Sequence, residues 1–241
     1  MGTPSPTISG SISLALLLTY GMPGASLSRR GLGPTASRVL DDFARMQPSG
    51  FRSFLESIRK PDLSQEARDR VLAGLPKAGE IKPSRKQGQK LLALAPILQY
   101  HRRDGFVEVK VVDAFQAAVG FHARSFILIS EPALRQLDSE ELQAVAAHEL
   151  GHDYFWDDYQ LALDRHDAER AQELELRCDA IAIFTLANLG LKPRKLISAI
   201  ERLDEFNARF GTALNERLYV PPSERVRFIE ATITLAHPVV R

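Results

Sequence analysis

The chain has 241 residues, 44% of them hydrophobic, with 31 basic against 30 acidic side chains and a net charge of +1. That length can bury one sizeable core, and the even charge balance removes the basic footprint of a nucleic-acid binder. A single cysteine, Cys178, excludes an intrachain disulfide and a cysteine-rich structural zinc module.

In chain order, the first feature is an apolar stretch from Ile12 to Leu18 followed by small residues, the outline of a signal peptide, although no Lys or Arg precedes it. Residues 1–33 are expected to be a signal-like or disordered segment, with an exported location (periplasmic or secreted) favoured over a cytoplasmic one. No run approaches the roughly 20 apolar residues of a membrane helix, so no span is expected in the mature chain. From Pro34 the pattern turns helical: SRVLDDFARM (37–46) and FRSFLESIRK (51–60) carry apolar residues three and four apart, separated by Pro48 and Gly50. Asp62 with Gln65 reads as a capping box opening a third helix to Ala73, which Gly74 and Pro76 stop. The polar stretch KAGEIKPSRKQGQ (77–89) reads as a solvated linker that closes an N-terminal helical region over 34–89. A short helix from Lys90 to Tyr100, interrupted by Pro96, begins the main domain, residues 90–241.

The period then changes. FVEVKVVD, from Phe106, alternates Val107, Val109 and Val111 against Glu108 and Lys110, a half-buried strand, and SFILIS (125–130) reads as a more buried one. Asp138 followed by Glu141 makes a capping box for a helix starting at Ser139, whose Leu142, Val145, Ala146 and Leu150 form a core-facing side. HELGH, residues 148–152, therefore lies well inside a helix. Residues four apart on a helix are neighbours, so His148 and His152 can direct both imidazoles at one metal ion, with Glu149 on the adjoining face. Two histidines satisfied in a core beside a surface glutamate are the plain alternative.

A catalytic zinc site takes three protein ligands and leaves one position to water. Downstream, AQELELRCDAIAIFTLANLG (171–190) reads as a helix ended by Gly190. Within it, Glu175 and Asp179 are like charges four apart, which repel, and Asp179 is the only charge between Cys178 and Ala187, so it is expected to be buried and paired. A zinc ion accounts for both: Glu175 binds the cation, and Asp179 accepts from the free ring nitrogen of a ligating histidine. Otherwise Glu173 and Arg177 form a surface pair, and Glu175 and Asp179 merely flank a core helix. Asp158, six residues after His152, competes for the third position, but such a site needs a glycine turn where Phe155 stands. Cys178 suits packing, His166 reads as solvated, His101, His122 and His237 have no spacing relation to the motif, and the aromatics Tyr154, Phe155, Trp156 and Tyr159 read as packing or as the border of a groove.

Four ordered stretches resemble the gluzincin metallopeptidases of the CAAX prenyl protease, HtpX and OMA type. VDAFQAAVG (112–120) is similar to the family's Asn-Ala-Phe-Ala strand, and FILISEPALRQLDSEELQAVAAHELGH to its strand, helix and active-site helix. ELRCDAIAIFTLANLGLKPRKLISAIERL is similar to its Glu-x-x-Ala-Asp and Gly-x-x-Pro helices, and PPSERVRFIE (221–230) to its closing Pro-rich segment. The resemblance implies one zinc per chain on His148, His152 and Glu175, Glu149 as catalytic base, and Asp179 supporting a ligand. Asp113 stands where the family has Asn, Cys178 where it has Ala, and Tyr219 or Val220 where a histidine precedes the Pro-rich segment. Tyr219 can donate a hydrogen bond to an oxyanion in that histidine's place, whereas Val220 cannot. Glu175 follows His152 by 23 residues, short for the family, as in a trimmed, soluble member.

The expected fold is α+β: a mostly helical zincin-like domain with a small mixed or antiparallel sheet and an active-site helix, behind a helical N-terminal extension. The expected function is zinc-dependent hydrolysis of a peptide or unfolded protein lying extended against an exposed strand near Asp113 to Ala118. A catalytically weakened zinc-site protein acting as a binding or assembly factor is the alternative, and a zinc hydrolase of non-peptide amides a third reading.

Overall fold

The computed structural model describes residues 31–46, 50–74, 79–210 and 220–236. The signal-like stretch, Tyr219 and His237 lie outside the described residues.

Three helices come first: α1 (Pro34–Ala44), α2 (Phe51–Ile58) and α3 (Gln65–Gly74). Pro34 suits the first turn of α1, where its missing N–H would have no intrahelical partner. Ser64, and not Asp62, caps α3: its hydroxyl accepts from the Ala67 N–H at 3.2 Å, while Asp62 is drawn to Arg103. A guanidinium offers a carboxylate a charge-assisted bond that a backbone N–H does not match. The polar stretch 77–89 is not all linker either. It contains the start of α4 (Arg85–Leu92), opened by a reciprocal capping box between Ser84 and Gln87. The stretch from Lys90 to Tyr100 is interrupted as expected, at Ala93 and Leu94, and Pro96 lies in the first turn of the helix that resumes, α5 (Ala95–Tyr100).

Three strands follow, β1 (Glu108–Val112), β2 (Val119–His122) and β3 (Phe126–Ser130), in the order β1-β3-β2. The sheet is mixed, with β1 parallel and β2 antiparallel to the central β3. All five residues of β3 are buried, as the unbroken run FILIS requires of a strand covered on both faces. A three-residue loop, with Ala123 and Arg124 both at positive φ, joins β2 to β3 and is closed by Ser125 N–H donating to the His122 carbonyl at 3.0 Å.

Residues 113–118, expected as an exposed strand, form none; the sheet's edges are β2 and β1, and β1 is bridged on its outer side at Glu80. Side chains satisfy the backbone there instead. Asn207 accepts from Ala117 N–H at 2.8 Å and donates to its carbonyl at 3.0 Å, and Ser130 Oγ accepts from Ala118 N–H at 2.8 Å.

Six helices complete the chain: α6 (Glu131–Gln136), α7 (Ser139–Tyr154), α8 (Trp156–Asp164), α9 (Ala168–Asn188), α10 (Lys195–Arg209) and α11 (Pro222–Ala236). The Asp138–Glu141 capping box opens α7 as the spacing predicts. Past α9, Gly190 takes φ +68°, which lets Leu191 N–H reach back to the Leu186 carbonyl at 2.8 Å and close the helix end. One core joins α1 and α2 to α7 and α9: Phe51 stacks on Phe184 with ring centroids 5.0 Å apart, and Phe43 lies 5.7 Å from the same ring. Among the described residues, no helix is long and apolar enough to cross a membrane.

Candidate metal centre

The centre is built where α7 crosses α9. A Cβ on Gly151 would lie 2.8 Å from Cys178 Cα, so the glycine in HELGH and the small residue in ELRCDA let two backbones meet. That approach brings the side chains on either side of the crossing together. His148 Nε2 is 3.4 Å from Glu175 Oε2, and His152 Nε2 is 3.7 Å from Glu175 Oε1. The two imidazoles stand edge to face with centroids 5.1 Å apart. One donor atom from each of His148, His152 and Glu175 lies within 4.8 Å of the others, and all three residues are buried.

The same atoms are orphans. His148 Nε2, His152 Nε2, Glu175 Oε2 and Glu149 Oε2 are buried without a hydrogen-bond partner. Leaving one buried polar atom unsatisfied costs about 1–3 kcal/mol, so the three that converge, from His148, His152 and Glu175, demand a common partner. Two neutral imidazole nitrogens and a carboxylate oxygen are the donor set that a zinc ion takes in a site with an open position. The residues therefore fit the metal.

A ring of further contacts fixes these ligands. Asp179 Oδ1 is 2.8 Å from His148 Nδ1. Because Asp179 is ionised beside Arg225, it accepts there, so the His148 proton sits on Nδ1 and the Nε2 lone pair points at Glu175. Arg225 donates to both Asp179 oxygens, from Nε at 2.7 Å and Nη2 at 2.7 Å. Its Nη2 also lies 3.4 Å from His148 Nδ1, where two donors share the acceptor Oδ1. The Tyr159 hydroxyl donates to Glu175 Oε1 at 2.8 Å and the Tyr159 ring lies 4.8 Å from that of His152. Tyr159 is seated by a small apolar cluster with Ala162, Ala171 and Leu174 between α8 and α9.

Electrostatics follow from burial and these partners. Burial opposes charge on His148, yet its hydrogen bond to Asp179 and the Glu175 carboxylate beside Nε2 carry it up to about 9; a bound cation would take the place of that second proton on Nε2. Burial dominates for His152, held down at about 4. Burial pushes Glu149 up to about 8, offset in part by His148 and by the backbone amide of Phe121. Glu175 and Asp179 stay low despite burial, the first through the two histidines, the second through Arg225 and His148. Burial and the surrounding carboxylates drive the Cys178 thiol well above its usual value, which suits packing over ligation.

The other candidates lie elsewhere. Asp158 is exposed and pairs with Arg170 at 3.2 Å. His166 is exposed, and His122 is half-buried at the end of β2. His101 is a core residue, bridging the Tyr154 hydroxyl at 2.9 Å and Thr185 Oγ1 at 3.1 Å. Glu173 and Arg177 do pair, at 2.9 Å, alongside the convergence of Glu175 and Asp179 on the histidines. Of the aromatic residues after HELGH, Tyr154 packs on His101 and Trp156 meets Phe121 of β2 edge to face. Sequence reasoning missed the roles of Tyr159 and Arg225. A signal for Arg225 exists: it shares the buried stripe of α11 with Phe228, Ile229 and Thr232, where an arginine needs an anion.

Comparison with known proteins reaches only the first part of this arrangement. No curated protein matches the chain. Residues 85–162, less than half of the chain, match the model of Peptidase family M48, consistent with a gluzincin metallopeptidase; the matched stretch carries HELGH and stops short of Glu175, Asp179 and Arg225.

Proposed function

We propose that the chain is a zinc-dependent metalloendopeptidase of the CAAX prenyl protease, HtpX and OMA type, acting on peptides or unfolded proteins. The observation that carries this reading is the convergence of three buried, unpartnered atoms from His148, His152 and Glu175, with a fourth unpartnered atom on Glu149, the next residue after His148. His148, His152 and Glu175 would hold one zinc ion. Zinc in such a site supplies Lewis acidity toward the scissile carbonyl and lowers the pKa of water toward about 7. Glu149, which the charge of a bound cation would hold ionised against the upward push of burial, would take the proton of the attacking water and deliver it to the leaving nitrogen. Tyr219, outside the described residues, is assigned a hydrogen bond to the oxyanion.

The substrate backbone would run along the outer edge of β2. The Ser130 N–H bonds the Ala118 carbonyl at 2.8 Å, which fixes the parity: residues 118, 120 and 122 turn their main-chain groups toward β3, and Val119 and Phe121 turn theirs outward, where the Phe121 N–H meets Glu149. Val119, Phe121 and the metal-facing side chains are all buried, so a polypeptide reaches them only once the surrounding surface parts.

Replacement of Glu149 by Gln separates binding from chemistry. It should leave one zinc per chain and lower hydrolysis of a casein substrate by about 10²- to 10⁴-fold; persistence of wild-type turnover removes Glu149 as the base. Glu175→Ala should lose the metal. The alternative, a zinc-holding binding or assembly protein, draws on Tyr219 standing in place of the family histidine. It would be favoured by wild-type chain that holds zinc and hydrolyses nothing until Tyr219→His is introduced.

A further inference from the structure

We infer that Arg225 is a positioning residue of the metal site, acting on His148 through Asp179, so that the docking of the last helix sets the affinity for zinc. The inference rests on the zinc-site reading above. Asp179 and His148 are on neighbouring helices, α9 and α7, but a single hydrogen bond to Oδ1 leaves a carboxylate free to rotate about its Cβ–Cγ bond. The Arg225 fork removes that freedom. Its Nε and Nη2 bind Oδ2 and Oδ1, both at 2.7 Å, which fixes the carboxylate plane and with it the 2.8 Å acceptor position for His148 Nδ1. Only a planar guanidinium makes that two-point contact; an ammonium makes a one-point contact from a flexible stem.

Burial makes the arrangement consequential. Asp179 is fully buried and Arg225 is 5% exposed, so water is not on hand to replace either partner. Arg225 is itself carried by a helix with its own anchor. Glu224, one residue earlier on α11, accepts from the Gly33 backbone N–H at 2.9 Å, tying α11 to the segment that leads into α1. The line of contacts therefore runs from the N-terminal region through α11 and Asp179 to a ligand ring.

The experiment is a double-mutant cycle on the full chain with zinc affinity as the readout, from competition against a chromophoric chelator, and the visible spectrum of the cobalt-substituted protein as a report of ligand geometry. Arg225→Met and Asp179→Asn should each weaken zinc binding by about 10- to 100-fold, the range usual for partners of a metal ligand. The double variant should be no weaker than Asp179→Asn alone, because Arg225 works through that carboxylate. Arg225→Lys, which keeps charge but not the fork, should fall between wild type and Arg225→Met and shift the cobalt spectrum; it also carries the test should Arg225→Met not fold. Wild-type affinity and spectrum in a folded Arg225 variant, or fully additive losses in the double variant, would overturn the assignment. Wild-type chain that takes up no zinc at all would overturn the metal-site reading beneath it.

Discussion

At the scale of single residues, the site shows which side chains a sequence can reveal. His148, Glu149 and His152 are legible because one helix carries all three and helical spacing is a local property. Glu175 is legible for a different reason: it and Asp179 are like charges one turn apart, and Asp179 interrupts an apolar run, so both needed an explanation that a cation supplies. Tyr159 carries no such local contradiction, and Arg225 shows only that an arginine in the apolar stripe of α11 needs an anion, not which one, because their partners lie 16 and 46 residues away on other helices. Tyr159 gives a test at this scale. Its hydroxyl occupies Glu175 Oε1 at 2.8 Å and leaves Oε2 unpartnered, so the tyrosine decides which oxygen is turned to the metal. Tyr159→Phe keeps the ring against His152 and removes that bond. A loss of zinc affinity of about tenfold or more is expected, with the folded state retained, and a chelator competition titration beside circular dichroism measures both.

Among elements, the misread stretches share a cause: a side chain from a distant part of the chain takes over what local pattern would assign to backbone. Asp62 fails as a cap because Arg103 claims it, and at the end of 113–118 Asn207 and Ser130 side chains meet the backbone of Ala117 and Ala118 where a neighbouring strand would. Elements with internally consistent signals form as read, as with the Asp138–Glu141 box of α7, the apolar run of β3 and the glycine after α9. Pro96 is a subtler case, since a proline in an apolar run signals a first turn as readily as a break. The Asn207 contact gives the prediction for this scale. Its carboxamide meets both the N–H and the C=O of buried Ala117, as a neighbouring strand would, and thereby ties the segment before β2 to α10. Asn207→Ala leaves both groups buried without their partner, at a cost of about 1–3 kcal/mol per unsatisfied group. Hydrogen exchange should show the loss concentrated at Ala117, with β3 still protected; uniform loss across the sheet would mean that the contact is not local.

For the whole molecule, two buried titratable groups far apart in sequence set opposing pH dependences. His101 is enclosed between Tyr154 and Thr185, and burial, with Arg103 nearby, lowers it from 6.5 to about 3. Its unfolded form binds the proton more readily, so the stability associated with neutral His101 is present above about 6.5 and drains away as pH falls toward about 3. Asp204, on α10, is buried with neither oxygen hydrogen-bonded among the described residues, and burial raises it from 3.8 to about 7 against the pull of Arg225. Here the folded state holds the proton, so stability is fully present below about 3.8 and is lost as pH rises through about 7. Between those limits the slopes oppose each other, and the wild-type profile is flatter than either group alone would make it. Single variants should separate them. Relative to wild type, Asp204→Asn should gain stability progressively as pH rises from about 4 to about 7, and His101→Gln should gain as pH falls from about 6.5 to about 3. Only the pH-dependent part of each difference is diagnostic, because a constant offset reports packing at the substituted position. Urea unfolding of both variants across this range measures it, and parallel profiles for variant and wild type would show that the group titrates alike in the folded and unfolded chain.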